Sequence, residues 1–203
     1  NTPFADAETV PVSATTPGDT GVAALRDQLT QAAQALHSSG NAARREDALF
    51  RLAVDRVFTL AGHGTVVTGT AFAGTVRVGD NLTVMPQGLP VRVRSVHAQN
   101  RSVEAGRAGE RCALNLAGVE RDQLRRGNWI VAAGLPGPST HVDVELHWLE
   151  DSAPLTQWFP LHVHVGTTHG QARTVLLEGD TLAPGGTMRV QLVFDTPVCT
   201  MPG

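Results

Sequence analysis

Asp55 and Arg56 stand where a run of apolar residues would otherwise continue. Phe50, Leu52 and Val54 alternate with Arg51, Ala53 and Asp55, and the next position on the apolar side is Arg56, ahead of Phe58 and Leu60. A guanidinium in core register is costly unless a carboxylate pairs with it or a bulge re-aims it. The pair could be a structural ion pair, a strand break, or the charged part of a binding site, and parity alone favours the structural accounts. Neighbours on a regular strand face opposite ways, so a site shared by both residues requires a bulge or strand end here. Arg111 falls opposite the Cys112, Leu114, Leu116 face, beside Ala113 and Asn115, and alone reads as an ordinary polar-face residue.

Two other groupings are chemically suggestive. His162 and His164 lie two apart, hence on one face of a strand, with His169 just beyond, the minimum for a three-histidine metal site. No carboxylate or cysteine cluster supports it, so structural or surface histidines are the favoured reading. Gly62-His63-Gly64 followed by Gly69 has the glycines of a phosphate loop, but such loops open a helix, and the flanks here are β-branched. Turns and a bulge in a barrel explain them better. Cys112 and Cys199 have no metal or redox spacing and read as reduced thiols of a cytosolic protein.

Composition removes whole classes of chemistry. All sixteen basic residues are arginine. Without lysine the chain cannot carry a Walker-type phosphate loop or a Schiff-base lysine, so it is not a complete P-loop nucleotidase. A net charge of −3 argues against a broadly basic nucleic-acid coat, while leaving room for a local arginine site. No run approaches the ~20 apolar residues of a membrane-spanning helix, and no secretory signal is visible. With 41% hydrophobic and 17% charged residues, the chain should bury a core.

The elements that must position these residues divide in three. In residues 1–45, an apolar piece at Val10-Pro11-Val12 leads through a polar turn to a helical pattern of Val22, Leu25, Leu29, Ala32, Ala33 and Leu36. This strand–loop–helix is too short to bury a core alone. In residues 46–134 the period becomes two: short runs at Thr65–Phe72, Leu82–Met85, Val91–Ala98, Arg111–Leu116 and Trp129–Val131 are punctuated by glycine turns, with one helical turn near Glu120–Leu124. That rhythm reads as a β-barrel or sandwich. After Leu135-Pro136-Gly137-Pro138, a second all-β unit spans 135–203 with about four strands, fewer than a closed barrel needs. The chain therefore reads as a fragment truncated at both ends.

A longer pattern ties these pieces together. Gly64-Thr65-Val66-Val67-Thr68-Gly69, continuing through Gly74, Val76 and Gly79-Asp80, resembles the signature of domain 2 of translational GTPases. Ala108-Gly109-Glu110 and Arg126-Gly127-Asn128-Trp129 extend that match. Within the superfamily, Phe50 to Arg56, Val93 to Asn100 and Pro154-Leu155-Thr156-Gln157-Trp158 resemble the bacterial selenocysteine-specific elongation factors rather than elongation factor Tu. The resemblance covers nearly the whole chain. It implies a mainly β fold of two consecutive β-barrel domains, preceded by a strand–loop–helix remnant of an α/β GTPase domain. Residues 46–134 would be domain 2 and residues 135–203 a C-terminally truncated domain 3.

The resemblance also implies function. Such a factor binds selenocysteinyl-tRNA and delivers it to the ribosome in a GTP-dependent step of translation elongation, in the cytoplasm. The messenger RNA hairpin would be bound only by C-terminal domains absent here, and no membrane is involved. GTP and Mg would serve the full-length parent, with none expected for this fragment and no GTPase activity of its own. Positions matching Asp55, Arg56 and Arg111 form the pocket for the selenocysteinyl side chain, and Ser13-Ala14-Thr15 matches the last guanine-contacting loop. A selenol is more acidic than a hydroxyl, so two guanidiniums would favour its anion over neutral serine. Candidate tRNA phosphate contacts are Arg92, Arg94, Arg125, Arg126, Arg173 and Arg189. Two other readings compete: the same domains of an elongation factor Tu-like or initiation factor-like GTPase, and a histidine-based metal or ligand-binding barrel.

Overall fold

A computed structural model describes residues 7–38, 46–62 and 64–201; His63, the linker after Ser38 and the extreme termini lie outside the described residues. The chain divides into two units, residues 1–44 and 45–203.

In the first unit, α1 (Thr20–Ser38) forms where the three- and four-residue spacing predicts. Asp19 starts it: its carboxylate accepts the Val22 N–H at 2.8 Å, satisfying one of the donors that a helix leaves orphaned. The expected strand at Val10-Pro11-Val12 is not formed. Residues 7–13 take no regular structure, because a strand exists only through ladder bonds and no partner strand is present among the described residues of this unit. The apolar stripe of α1 is correspondingly uncovered, with Leu29 62% and Leu36 70% exposed.

The second unit holds two β assemblies in sequence. The first comprises β1 (Arg51–Leu60), β2 (Gly64–Ala73), β3 (Thr75–Arg77), β4 (Asn81–Met85), β5 (Leu89–Ala98), β6 (Arg101–Val103), β7 (Ala105–Arg107), β8 (Arg111–Ala117) and β9 (Trp129–Val131). Its sheet runs β4-β9-β1-β2-β8-β5-β6, and β4 also pairs with β5. That last pairing closes six antiparallel strands into a barrel and removes their edges. A 3₁₀ turn at Arg121–Gln123 occupies the one predicted helical spot. Inward-facing Leu52, Val54, Val67, Val84, Val93, Val96, Leu114, Leu116 and Ile130 fill the barrel and are almost wholly buried.

The second assembly comprises β10 (Ser139–His147), β11 (Leu155–Thr156), β12 (Pro160–Val165), β13 (Thr168–Leu176), β14 (Thr181–Leu182) and β15 (Thr187–Val198). Four strands make an antiparallel sheet in the order β10-β15-β13-β12, and β11 pairs with β14 as a separate ribbon. Alternation again sorts the side chains. Ala172, Leu176, Val190, Leu192 and Phe194 face a core with Leu155 and Leu182 from the ribbon, while Val142, Val144, Leu161 and Val163 pack against it only half-buried. A third cluster joins the two assemblies: Ala53, Trp129 and Val131 of the first meet Cys199 of the second, with Val165 against them.

Candidate functional site

The alternation of β1 fails where the sequence places an arginine on the apolar side. Val54 is paired with Gly69 and Arg56 with Thr68, so Asp55 is an extra residue with no opposite number on β2. This is the bulge that a common site for Asp55 and Arg56 requires. Beyond it the parity is inverted: Val57 packs against the core, whereas Arg56, expected in core register, is exposed on the outer wall. Gly69 is what lets the chains approach here. A Cβ on Gly69 would overlap the Ala53 carbonyl, so any larger residue would push β2 away from the bulge.

Outside the barrel, the bulge meets β8. Arg111 stands opposite Thr70 on β2, facing outward with Ala113 and away from buried Cys112 and Leu114, as its parity predicts. Its guanidinium makes a two-pronged bond to Asp55: Nε donates to Oδ2 at 3.0 Å and Nη2 to Oδ1 at 2.9 Å. Thr68 joins them, its hydroxyl donating to Asp55 Oδ1 at 2.6 Å and accepting from Arg111 Nη2 at 3.1 Å. The cluster is open to solvent, the Arg111 side chain being 54% and that of Asp55 25% exposed. Burial by itself would raise the Asp55 pKa. The Thr68 hydroxyl and the Arg111 guanidinium outweigh it, and with the charge of Arg56 they hold the carboxyl below its ordinary value of 3.8.

Two positive charges and one negative leave this cluster with a net charge of +1. Three of the five N–H groups of Arg111 are committed to Asp55 and Thr68, which leaves the two on Nη1. Arg56 makes no hydrogen bond or ion pair among the described residues, although its field reaches Asp55. The arrangement can therefore present guanidinium donors to an anion without first breaking a buried bridge.

Arg111 and Thr68 also border an open groove of about 660 Å³ on the barrel's outer wall. Outward residues of four adjacent strands line it: Phe58 and Leu60 of β1, Val66 of β2, Ser95 and His97 of β5, Ala113 and Asn115 of β8. Gln99 and Asn100 form its rim from the two-residue turn between β5 and β6, where their φ values of 52° and 60° match a hairpin turn needing positive φ at both positions. Sequence reasoning missed these lining residues. Phe58 and Leu60 read as core until the bulge is known, and His97 has no local signal. Asn100 in a short turn between alternating runs was the legible clue. Cys112 lies on the groove's inner side, and burial followed by the charge of Glu110 pushes its thiol up to about 11, so it is an unreactive thiol.

The other predicted residues are placed elsewhere. Ser13, Ala14 and Thr15 belong to a turn in the first unit, in which the Thr16 N–H donates to the Ser13 carbonyl at 3.2 Å and the two hydroxyls lie 2.7 Å apart. Ala14 and Thr15 are exposed at its tip. The three histidines do not converge. His164 faces His169 across the β12–β13 hairpin, ring centroids 5.7 Å apart, while His162 is opposite Gln171. Among the described residues no group of three or more His, Cys, Asp or Glu is placed to hold a metal ion. No helix of the described residues is long and apolar enough to cross a membrane.

Comparison with known proteins agrees with this architecture. Residues 64–131 match the family model of elongation factor Tu domain 2, and residues 142–203 that of the selenocysteine-specific elongation factor β-barrel domain. The selenocysteine-specific elongation factor of Escherichia coli K12 is 45% identical over 196 residues, which is 96% of this chain and 29% of that protein. The factor of the same description from Desulfomicrobium baculatum is 40% identical over 190 residues, again 29% of its length. A crystal structure of a bacterial selenocysteine-specific elongation factor superimposes with a TM-score of 0.72 at 25% identity, covering 87% of this chain and 28% of that one. The chain thus spans less than a third of the length of the relatives it matches.

Proposed function

Because this chain belongs, over the stretch it matches, to the selenocysteine-specific elongation factors, we propose that its first barrel recognises the selenocysteinyl end of a charged tRNA. In this reading residues 46–134 act as domain 2 and 135–203 as domain 3 of a factor that delivers selenocysteinyl-tRNA to the ribosome. Residues 1–45 are then the end of a GTP- and Mg-dependent GTPase domain, with Ser13-Ala14-Thr15 in the loop that touches guanine. The observation that carries the proposal is the bulge. It sends Asp55 and Arg56 to the outer wall and brings Asp55 within hydrogen-bond reach of Arg111, which borders an open groove of about 660 Å³.

The chemistry follows from charge. Selenocysteine is an anion at neutral pH, whereas the serine ester that precedes it on the same tRNA is neutral. A selenolate placed between Arg56 and the Nη1 group of Arg111 gains charge-assisted bonds. A serine hydroxyl gains neutral ones and leaves the excess positive charge unmatched, so the site selects by what each ligand does to that charge. Asp55 offsets one of the two positive charges and keeps the Arg111 fork in one orientation, while two N–H groups stay available. Arg111→Ala or Arg56→Ala in the full-length factor tests the reading. The preference for selenocysteinyl- over seryl-tRNA, measured as a ratio of dissociation constants, should fall by roughly tenfold or more. An unchanged ratio in both variants rejects the pocket.

A further inference from the structure

The bulge is held from behind by a loop of its own assembly and by a turn of the second. Val54 precedes the inserted Asp55, and its carbonyl accepts two hydrogen bonds: from the Gly127 N–H at 3.1 Å and from the Thr167 hydroxyl at 2.6 Å. Neither donor belongs to β2. Its N–H goes to the Asn128 carbonyl at 2.9 Å. Thr167 lies in the turn between β12 and β13, 113 residues further along the chain.

That turn is seated without slack. A Cβ on Gly166 would come within 2.5 Å of the Trp129 ring and 3.2 Å of the Ala53 Cβ, and one on Gly127 within 2.8 Å of the Thr168 Cβ. Arg126 Nε donates to the Thr167 carbonyl at 3.2 Å, so the turn is tied on both sides of its hydroxyl. The apolar cluster of Ala53, Trp129, Val131, Cys199 and Val165 surrounds it.

We infer that Thr167 is a positioning residue for the site on the first barrel, and that docking of the β12–β13 turn sets the direction of Asp55 and Arg56. The carbonyl of Val54 and the N–H of Asp55 share one rigid peptide plane. Fixing that oxygen with two donors fixes the plane, and with it the starting direction of the Asp55 side chain. A bulged residue has fewer ladder bonds than its neighbours, so little else resists rotation there. The second barrel therefore contributes to selectivity without touching the ligand. This inference rests on the proposed recognition of a selenolate and names a further residue that governs it.

Thr167→Val removes the donor at nearly constant shape, and Thr167→Ser restores it. In the 203-residue chain, the Asp55 carboxyl is titrated by ¹³C NMR and the Arg111 Nε–H resonance is recorded. The valine variant should move the titration midpoint up toward 3.8 and shift the Arg111 resonance toward that of a solvated guanidinium, and the serine variant should return both. In the full-length factor, the preference for selenocysteinyl- over seryl-tRNA should fall by about two- to tenfold for valine, as one lost hydrogen bond implies, and recover with serine. Unchanged NMR signals in Thr167→Val overturn the inference even where Arg111→Ala abolishes the preference. Shifted NMR signals with a preference that survives both Thr167→Val and Arg111→Ala keep the structural coupling and reject the selenolate reading instead.

Discussion

The two β assemblies are made of the same kind of strand and finish differently. In the first, β4 bonds to both β9 and β5, so every strand of the six-membered ring has two neighbours. In the second, ladder pairing among the described residues stops at β10 and β12. The cores record the difference: Leu52, Val54, Leu114 and Ile130 are completely buried, whereas Val142, Leu146, Leu161 and Val163 keep part of their surface accessible. A ring distributes strain over all its members, so an extra residue in one strand can be absorbed without opening the sheet. The open sheet carries a register shift as well, between Ser139 and His141 where β10 pairs with β15, and its β12–β13 turn serves as a brace. The first assembly carries the Asp55–Arg111 cluster, and the second donates a hydrogen bond to the peptide beside it.

Core deletions should break this comparison most forcefully. Leu114→Ala empties a fully enclosed position, and a loss of about 2–5 kcal/mol in urea unfolding is expected. Leu161→Ala, half-buried in the open sheet, should cost roughly 1 kcal/mol. Equal losses would mean that the second core is as well sealed as the first. A smaller effect belongs to the approach of β2 to the bulge. Gly69→Ala forces a Cβ against the Ala53 carbonyl and should destabilise by about 1–3 kcal/mol in thermal melts, with displacement of the Arg111 Nε–H resonance. Its tolerance at full stability with an unmoved resonance would show that the bulge does not depend on that close contact.

The smallest effect concerns the ion pair, which is surface-exposed and therefore worth less than ~1 kcal/mol. Because the folded Asp55 pKa lies below its ordinary 3.8, the contribution is present above that value and disappears as the pH falls through the depressed one. Urea unfolding of the wild type and Asp55→Asn between pH 2 and pH 7 measures it. The stability difference should be constant at neutral pH and close in the acid range below about 4. A gap that instead widened on acidification would contradict the depressed carboxyl.

Much of this was readable in advance. Period-two alternation with glycine punctuation predicts the strands of the first barrel to within a residue or two, as in β8, expected at Arg111–Leu116 and found at Arg111–Ala117. The bulge followed from a single contradiction of parity at Arg56. The apolar run Trp129–Val131 showed β9 despite its three residues, whereas the equally short β6, β7, β11 and β14 hold no such run and were not readable. The groove was hidden for a related reason. Its lining comes from four strands, and the outward face of β1 is known only after the register shift at Asp55 is placed. Thr167 carries no local signal at all, because what matters about it is a carbonyl 113 residues away. The strand expected at Val10-Pro11-Val12 shows the converse limit: local propensity cannot supply a partner.

The reversal of parity at Asp55 also separates two kinds of selection on the same strand. Upstream of it, inward side chains are constrained by packing; downstream, Arg56 is exposed on the outer wall and Phe58 and Leu60 line the groove. Under the proposed reading, randomising such outward positions together with His97 and Arg111 retunes ligand preference while the scaffold beneath stays intact.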